Sequence, residues 1–189
     1  MSIPKVARET RVLIVGTGLT GSLACYHLRA QAREKSLPLR IDVADMARGP
    51  GGRMSTTRFG PDSIRANTGA QYLSTSSARA AALLQSTCSP SACPLQRVGE
   101  PLKRTTHFSR DADDRYTHWL PLQGTNSAVK QFLYGGAPDL VVFESRLQQM
   151  AAMTSSGRPQ LVPLFDSGGT TSAYDVVILA MPPKVVLTF

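Results

Sequence analysis

Apolar positions come in two rhythms along this chain. Val12–Val15, Leu39–Ala44, Leu140–Phe143 and Tyr174–Ala180 are short runs rich in β-branched and aliphatic residues. Runs of this kind predict strands of a parallel sheet buried on both faces. Between them the spacing lengthens. Leu19, Leu23, Tyr26 and Ala30 recur at three- and four-residue intervals and predict a helix over Leu19–Lys35. Further helices are expected over Ser77–Ser86 and over Asn126–Tyr134, the latter with Thr125 or Asn126 as N-cap. Arg146–Met153 and Gln160–Phe165 read as two strands of a β-meander crossing between parts of the main sheet. Thr105–Ser109 and Arg115–Leu120, joined by the polar turn Arg110–Asp114, read as a hairpin of a smaller lobe. Ser89–Pro101 reads as loop.

The first strand runs directly into Gly16-Thr17-Gly18-Leu19-Thr20-Gly21, a G-x-G-x-x-G between a strand and a helix. That context gives each glycine a task. Gly16 turns the chain off the strand, Gly18 admits a pyrophosphate to the backbone, and Gly21 lets helix and strand pack closely. The unpaired N–H groups and positive dipole end of the helix suit two phosphates, and Thr20 adds a hydroxyl there. The second strand ends in Asp45, 29 positions after Gly16. The usual interval is about 20 residues, so the intervening helix and loop are longer here. A carboxylate at this place accepts hydrogen bonds from both hydroxyls of an adenosine ribose and repels a 2′-phosphate.

Two later stretches add polar groups. Gly49-Pro50-Gly51-Gly52-Arg53-Met54 follows the acid and brings flexible backbone and one guanidinium back towards the phosphates. Asn67-Thr68-Gly69-Ala70-Gln71-Tyr72 combines small residues, against which a flat ring could lie, with a Gln71 amide suited to a ring edge. His107 and His118 are given no role, and no catalytic residue is assigned.

Composition narrows the classes. The 189 residues suffice for one domain with a sizeable core, and hydrophobic content is 42%. No apolar run approaches the ~18–20 residues of a membrane span. No signal-peptide core precedes Val12–Val15. A cytoplasmic protein without membrane partners is expected, with secretion left open. The net charge is +8, but it is dispersed, lacks aromatic partners, and is interrupted by Asp111, Asp113 and Asp114, so nucleic acid is not an expected partner. Cys25, Cys88 and Cys93 have no metal-ligand spacing around them; free thiols and no metal site are expected.

Taken together, VLIVGTGLTGSLA (12–24), GGRMSTT (51–57), GAQYL (69–73), PLQGTNSAVKQFL (121–133) and YDVVILAMPP (174–183) resemble the flavin-dependent amine-oxidase-like superfamily, within it the renalase-like enzymes. The pieces fall in the family's order across nearly the whole chain. The resemblance implies an α/β fold: a Rossmann-like FAD-binding parallel sheet with a β-meander and a partial second, substrate lobe. It divides the chain into an FAD-binding βαβ part (1–75), a partial substrate lobe (76–133) and a return to the FAD domain (134–189). The cofactor it implies is noncovalent FAD, held by Gly16, Gly18, Thr20, Gly21, Asp45, Gly52, Arg53, Gln71 and Tyr72. Thr20 would touch the pyrophosphate, Asp45 the ribose, Arg53 the phosphate–flavin region, and Gln71 and Tyr72 the isoalloxazine side. The implied reaction is oxidation of dihydro-NAD(P) isomers by molecular oxygen, giving NAD(P)+ and hydrogen peroxide. Flavin-dependent amine oxidation and FAD binding without turnover are the alternatives. Two departures from the pattern stand out. Asn67 replaces an aspartate, and the family's chain continues past Met181-Pro182, so this chain is expected to be a truncated N-terminal portion.

Overall fold

The computed structural model describes residues 8–60, 64–98, 116–155, 157–168 and 172–182. The chain divides into two compact units, residues 1–52 with 132–189, and residues 53–131.

The first unit is built on four parallel strands. β1 (Thr10–Val15) lies between β2 (Leu39–Ala44) and the late strand β11 (Val176–Leu179), and β8 (Leu140–Val142) lies outside β2. Val12 to Val15 pair with Val176 to Leu179 on one side and with Ile41 to Ala44 on the other. This is the α/β Rossmann-like sheet expected from the apolar runs. Side chains alternate between its faces. Val12, Ile14, Ile41 and Val43 pack with Cys25 of the helix α1 (Leu19–Glu34) and with Leu133. Leu13, Val15 and Ala44 point the other way, to Leu147, Phe165 and Tyr174. The second face is covered by the antiparallel pair β9 (Leu147–Ser155) and β10 (Arg158–Phe165). Leu161 of that pair bridges Tyr174, just before β11. Strands covered on both faces favour apolar sequence, which is continuous over Val12–Val15 of β1 and throughout β8 and β11, and broken in β2 by Arg40 and Asp42.

Cys25 is buried, and that burial pushes its thiol up to about 11. It behaves as a small apolar residue.

The second unit holds shorter pieces. A single 3-10 turn at Gly52–Met54 leads into β3 (Thr56–Phe59), which pairs with β4 (Ile64–Asn67). β5 (Leu73–Thr75), β6 (Leu95–Val98) and β7 (Thr117–Pro121) form a sheet with β7 in the middle. α2 (Ala78–Thr87) starts at Ser77, whose hydroxyl accepts the Ala80 N–H at 3.2 Å. α3 (Thr125–Gly135) begins in this unit.

Three expectations change here. Of the predicted hairpin, Thr105–Ser109 lies outside the described residues, and β7 pairs instead with β5 and β6. The stretch read as loop, Ser89–Pro101, contains β6. β3 and β4 have no counterpart in the sequence reading. Their residues are polar and partly exposed, so cross-strand pairing defines them and apolar alternation does not. Among the described residues, no helix is long and apolar enough to cross a membrane.

Candidate functional site

The glycine turn at the head of β1 is fixed by backbone geometry. Gly16 has φ +107°, a conformation that disfavours side chains, and its N–H donates to the Ala44 carbonyl at 2.8 Å. A Cβ there would lie 2.5 Å from the Ala180 carbonyl oxygen. A Cβ on Gly21 would overlap the Gly16 carbonyl oxygen. Gly18 differs: a Cβ built on it meets no atom within 4 Å. Gly16 and Gly21 are therefore required by packing, while the space above Gly18 is open.

Gly18 is also the N-cap of α1, and no side chain caps this end of the helix. The first intrahelical bond is from the Ser22 N–H to the Gly18 carbonyl, at 3.0 Å. The N–H groups ahead of it have no partner within the helix. No acidic residue occupies the first turn, and Thr20 is exposed there. The result is a cluster of N–H donors at the positive end of a 16-residue helix, a site suited to a phosphate pair.

The second glycine segment returns to the first. Gly51 donates its N–H to the Thr17 carbonyl at 3.0 Å, and Gly18 and Gly51 form an isolated parallel bridge. Gly52 has φ +55°, and a Cβ on it would lie 3.3 Å from the Gly18 Cα. The positive φ and this close approach both favour glycine at position 52.

Asp45, at the end of β2, is 8% exposed and faces the same turn. Its Oδ2 accepts both the N–H and the hydroxyl of Thr17, each at 2.5 Å. Its Oδ1 accepts the Ala47 N–H at 2.8 Å. Gly16, Gly18, Thr20, Gly21, Asp45 and Gly52 thus lie in one unit, around one turn. Thr17 was not singled out from sequence, because the second position of the motif is chemically unrestricted. A hydroxyl two residues beyond the end of β1, in the turn itself, was the available signal.

The remaining expected residues, Arg53, Gln71 and Tyr72, belong to the second unit. Arg53 is exposed, and its carbonyl accepts the Ala70 N–H at 2.9 Å. Gly69 is packed so closely on Arg53 that a Cβ would overlap its carbonyl. The Gln71 amide donates to the Asn67 carbonyl at 2.7 Å and the Gly69 carbonyl at 3.1 Å. The Tyr72 ring meets His118 edge to face, with centroids 5.2 Å apart, and His118 Nδ1 shares a 2.8 Å hydrogen bond with Ser74 Oγ.

Asn67 organises this unit. Its Oδ1 accepts the Thr56 hydroxyl at 2.9 Å, the Thr125 N–H at 3.0 Å and the Thr125 hydroxyl at 3.3 Å. It therefore caps α3 from a distant strand. These three contacts use it as an acceptor, while its amide nitrogen donates to the Gln71 carbonyl at 3.4 Å.

The chain matches the NAD(P)-binding Rossmann-like domain family over residues 14–87. Its fold is shared with a protein of Exiguobacterium sp. 255-15 provisionally named a protoporphyrinogen oxidase, at 14% identity and a TM-score of 0.62. It is shared equally with an oxidoreductase from Methanosarcina mazei, at 11% identity and a TM-score of 0.62. Each match covers 95% of this chain, but only 61% and 60% of the respective solved chains. The chain thus spans about three fifths of the length of these structures, and what it shares with them is the Rossmann-like α/β fold.

Proposed function

We propose that this chain is the dinucleotide-binding part of an FAD-dependent oxidoreductase of the amine-oxidase-like superfamily. One observation carries the reading: open space above Gly18, at the uncapped start of α1, beside a buried strand-end carboxylate. The residues present fit an adenine dinucleotide. Gly16, Gly18, Gly21 and Thr20 would hold the diphosphate, Gly51 and Gly52 would keep their backbone close to it, and Asp45 would take the ribose. Arg53 would pair with phosphate, and Gln71 and Tyr72 would lie on the side of the flavin ring. The ordered sequence resemblance favours FAD over a nicotinamide dinucleotide.

When bound, the flavin supplies the two-electron chemistry, so the protein need only bind, orient and shield the reactants. The substrate class that the superfamily resemblance supports is an amine, with molecular oxygen as electron acceptor and hydrogen peroxide as product. A finer reading, oxidation of dihydro-NAD(P) isomers to NAD(P)+, is supported by the GGRMSTT (51–57) and GAQYL (69–73) segments. FAD binding without turnover is the remaining reading.

Titrating the purified chain with FAD tests the proposal. Tight binding should quench flavin fluorescence and raise the unfolding midpoint. No change in either would overturn it. Anaerobic mixing of the loaded protein with an amine or with a dihydropyridine nucleotide then separates the substrates by which one bleaches the flavin. If neither does, the non-catalytic reading stands.

A further inference from the structure

We infer that Thr17 limits Asp45 to a single ribose hydroxyl, making Thr17 a specificity-determining residue of the dinucleotide site. This rests on the proposal that the glycine turn binds an adenosine diphosphate moiety.

An ionised carboxylate offers about four acceptor positions, two on each oxygen. In Asp45 both positions of Oδ2 are filled by Thr17, through its N–H and its hydroxyl. One position of Oδ1 is filled by the Ala47 N–H. One acceptor position remains, on Oδ1. Gripping both neighbouring hydroxyls of a ribose would require two free positions, and only one is left.

The arrangement is held firmly. Thr17 is fully buried, and its carbonyl accepts the Gly51 N–H at 3.0 Å. Turning the hydroxyl away would leave a buried donor without a partner, which is costly. On the other side, the Asp45 N–H donates to the Val142 carbonyl at 2.9 Å and its carbonyl accepts the Ser145 N–H at 3.0 Å, so its backbone is fixed in β2 and the following turn. A 2′-phosphate is still repelled by the negative charge. Sensitivity to the two ribose hydroxyls, however, becomes unequal.

The test compares ADP with its 2′-deoxy and 3′-deoxy forms by calorimetry, on the wild-type chain and on Thr17→Val and Thr17→Ser. For the wild type, one deoxy form should bind within about twofold of ADP and the other about tenfold or more weakly, the loss expected for a hydrogen bond to a charged group. Thr17→Ser keeps the hydroxyl and should keep this asymmetry. Thr17→Val frees one position on Oδ2, so both deoxy forms should then bind more weakly than ADP. Equal weakening by both deletions in the wild type overturns the inference alone, and that comparison needs no variant to fold. Failure of the wild type to bind ADP at all overturns it together with the dinucleotide reading.

Discussion

The Tyr174 hydroxyl donates a 3.0 Å hydrogen bond to Asp42 Oδ2 across 132 positions of sequence. Tyr174 is 1% exposed and Asp42 2% exposed, so a phenol and a carboxylate meet inside the layer between the parallel sheet and β9–β10. Arg40 Nε supplies Asp42 with a further contact at 3.0 Å, and the Arg11 guanidinium lies over the Tyr174 ring, 5.3 Å from its centroid. The buried charge is thus paired and hydrogen-bonded, as burial demands.

Tyr174→Phe removes one donor from this carboxylate and should cost about 1.5–3 kcal/mol, measured by urea unfolding. Its pH dependence gives a second readout. Burial, with Asp42 beside it, pushes the Tyr174 hydroxyl up to about 12. A group whose pKa is raised by folding stabilises the protein below its unfolded value, about 10. That contribution is lost as pH climbs towards the folded value. The wild type should therefore lose more stability than Tyr174→Phe between those limits. Parallel curves would show that Tyr174 ionises alike in the folded and unfolded states.

The two inner glycines should respond differently to alanine. Gly21→Ala forces a Cβ onto the Gly16 carbonyl and should lower the unfolding midpoint by several degrees. Gly18→Ala meets open space, so the fold should keep its midpoint while ADP or FAD binding weakens about tenfold or more. Unchanged nucleotide affinity in Gly18→Ala would argue against phosphate at this turn.

Asn67→Ala leaves the Thr125 N–H without its acceptor and should cost about 1–3 kcal/mol. Asn67→Asp restores an acceptor at the same place, with charge added at the start of α3, and should match or exceed wild-type stability. Thermal denaturation of the pair decides this; an aspartate variant as weak as the alanine one would sink the acceptor argument.

Acid should act through Asp139 and Asp175. At Asp139, burial opposes ionisation, but the Ile41 N–H at 2.7 Å and Arg29 at 2.6 Å outweigh it and hold the carboxyl below its usual range. At Asp175, the Arg11 N–H at 2.9 Å is the main cause of a shift in the same direction. Depressed carboxyls stabilise the fold above the unfolded value, about 3.9, and lose that contribution as pH falls through the lower folded value. Asp139→Asn and Asp175→Asn should each flatten the acid limb of the stability curve and leave the alkaline limb unchanged.

The four parallel strands, α1 and the glycine turn are legible from the order of residues alone. Sandwiched strands favour apolar residues, even where β2 admits Asp42, and a tight strand-to-helix turn needs glycine where φ is positive, as at Gly16. The order of those strands, with β11 beside β1, was settled only in three dimensions, because pairing depends on partners far apart in the chain. The same holds for β3, β4 and β6, whose polar residues carry no period, and for Asn67 as the cap of α3. Asp45 shows both sides at once. Its place at the end of β2 made it a candidate ligand acid, but how its Oδ2 is occupied was decided by Thr17, 28 positions earlier. Chain position supplies a carboxylate; the number of acceptor positions it has left depends on which donors the fold brings to it.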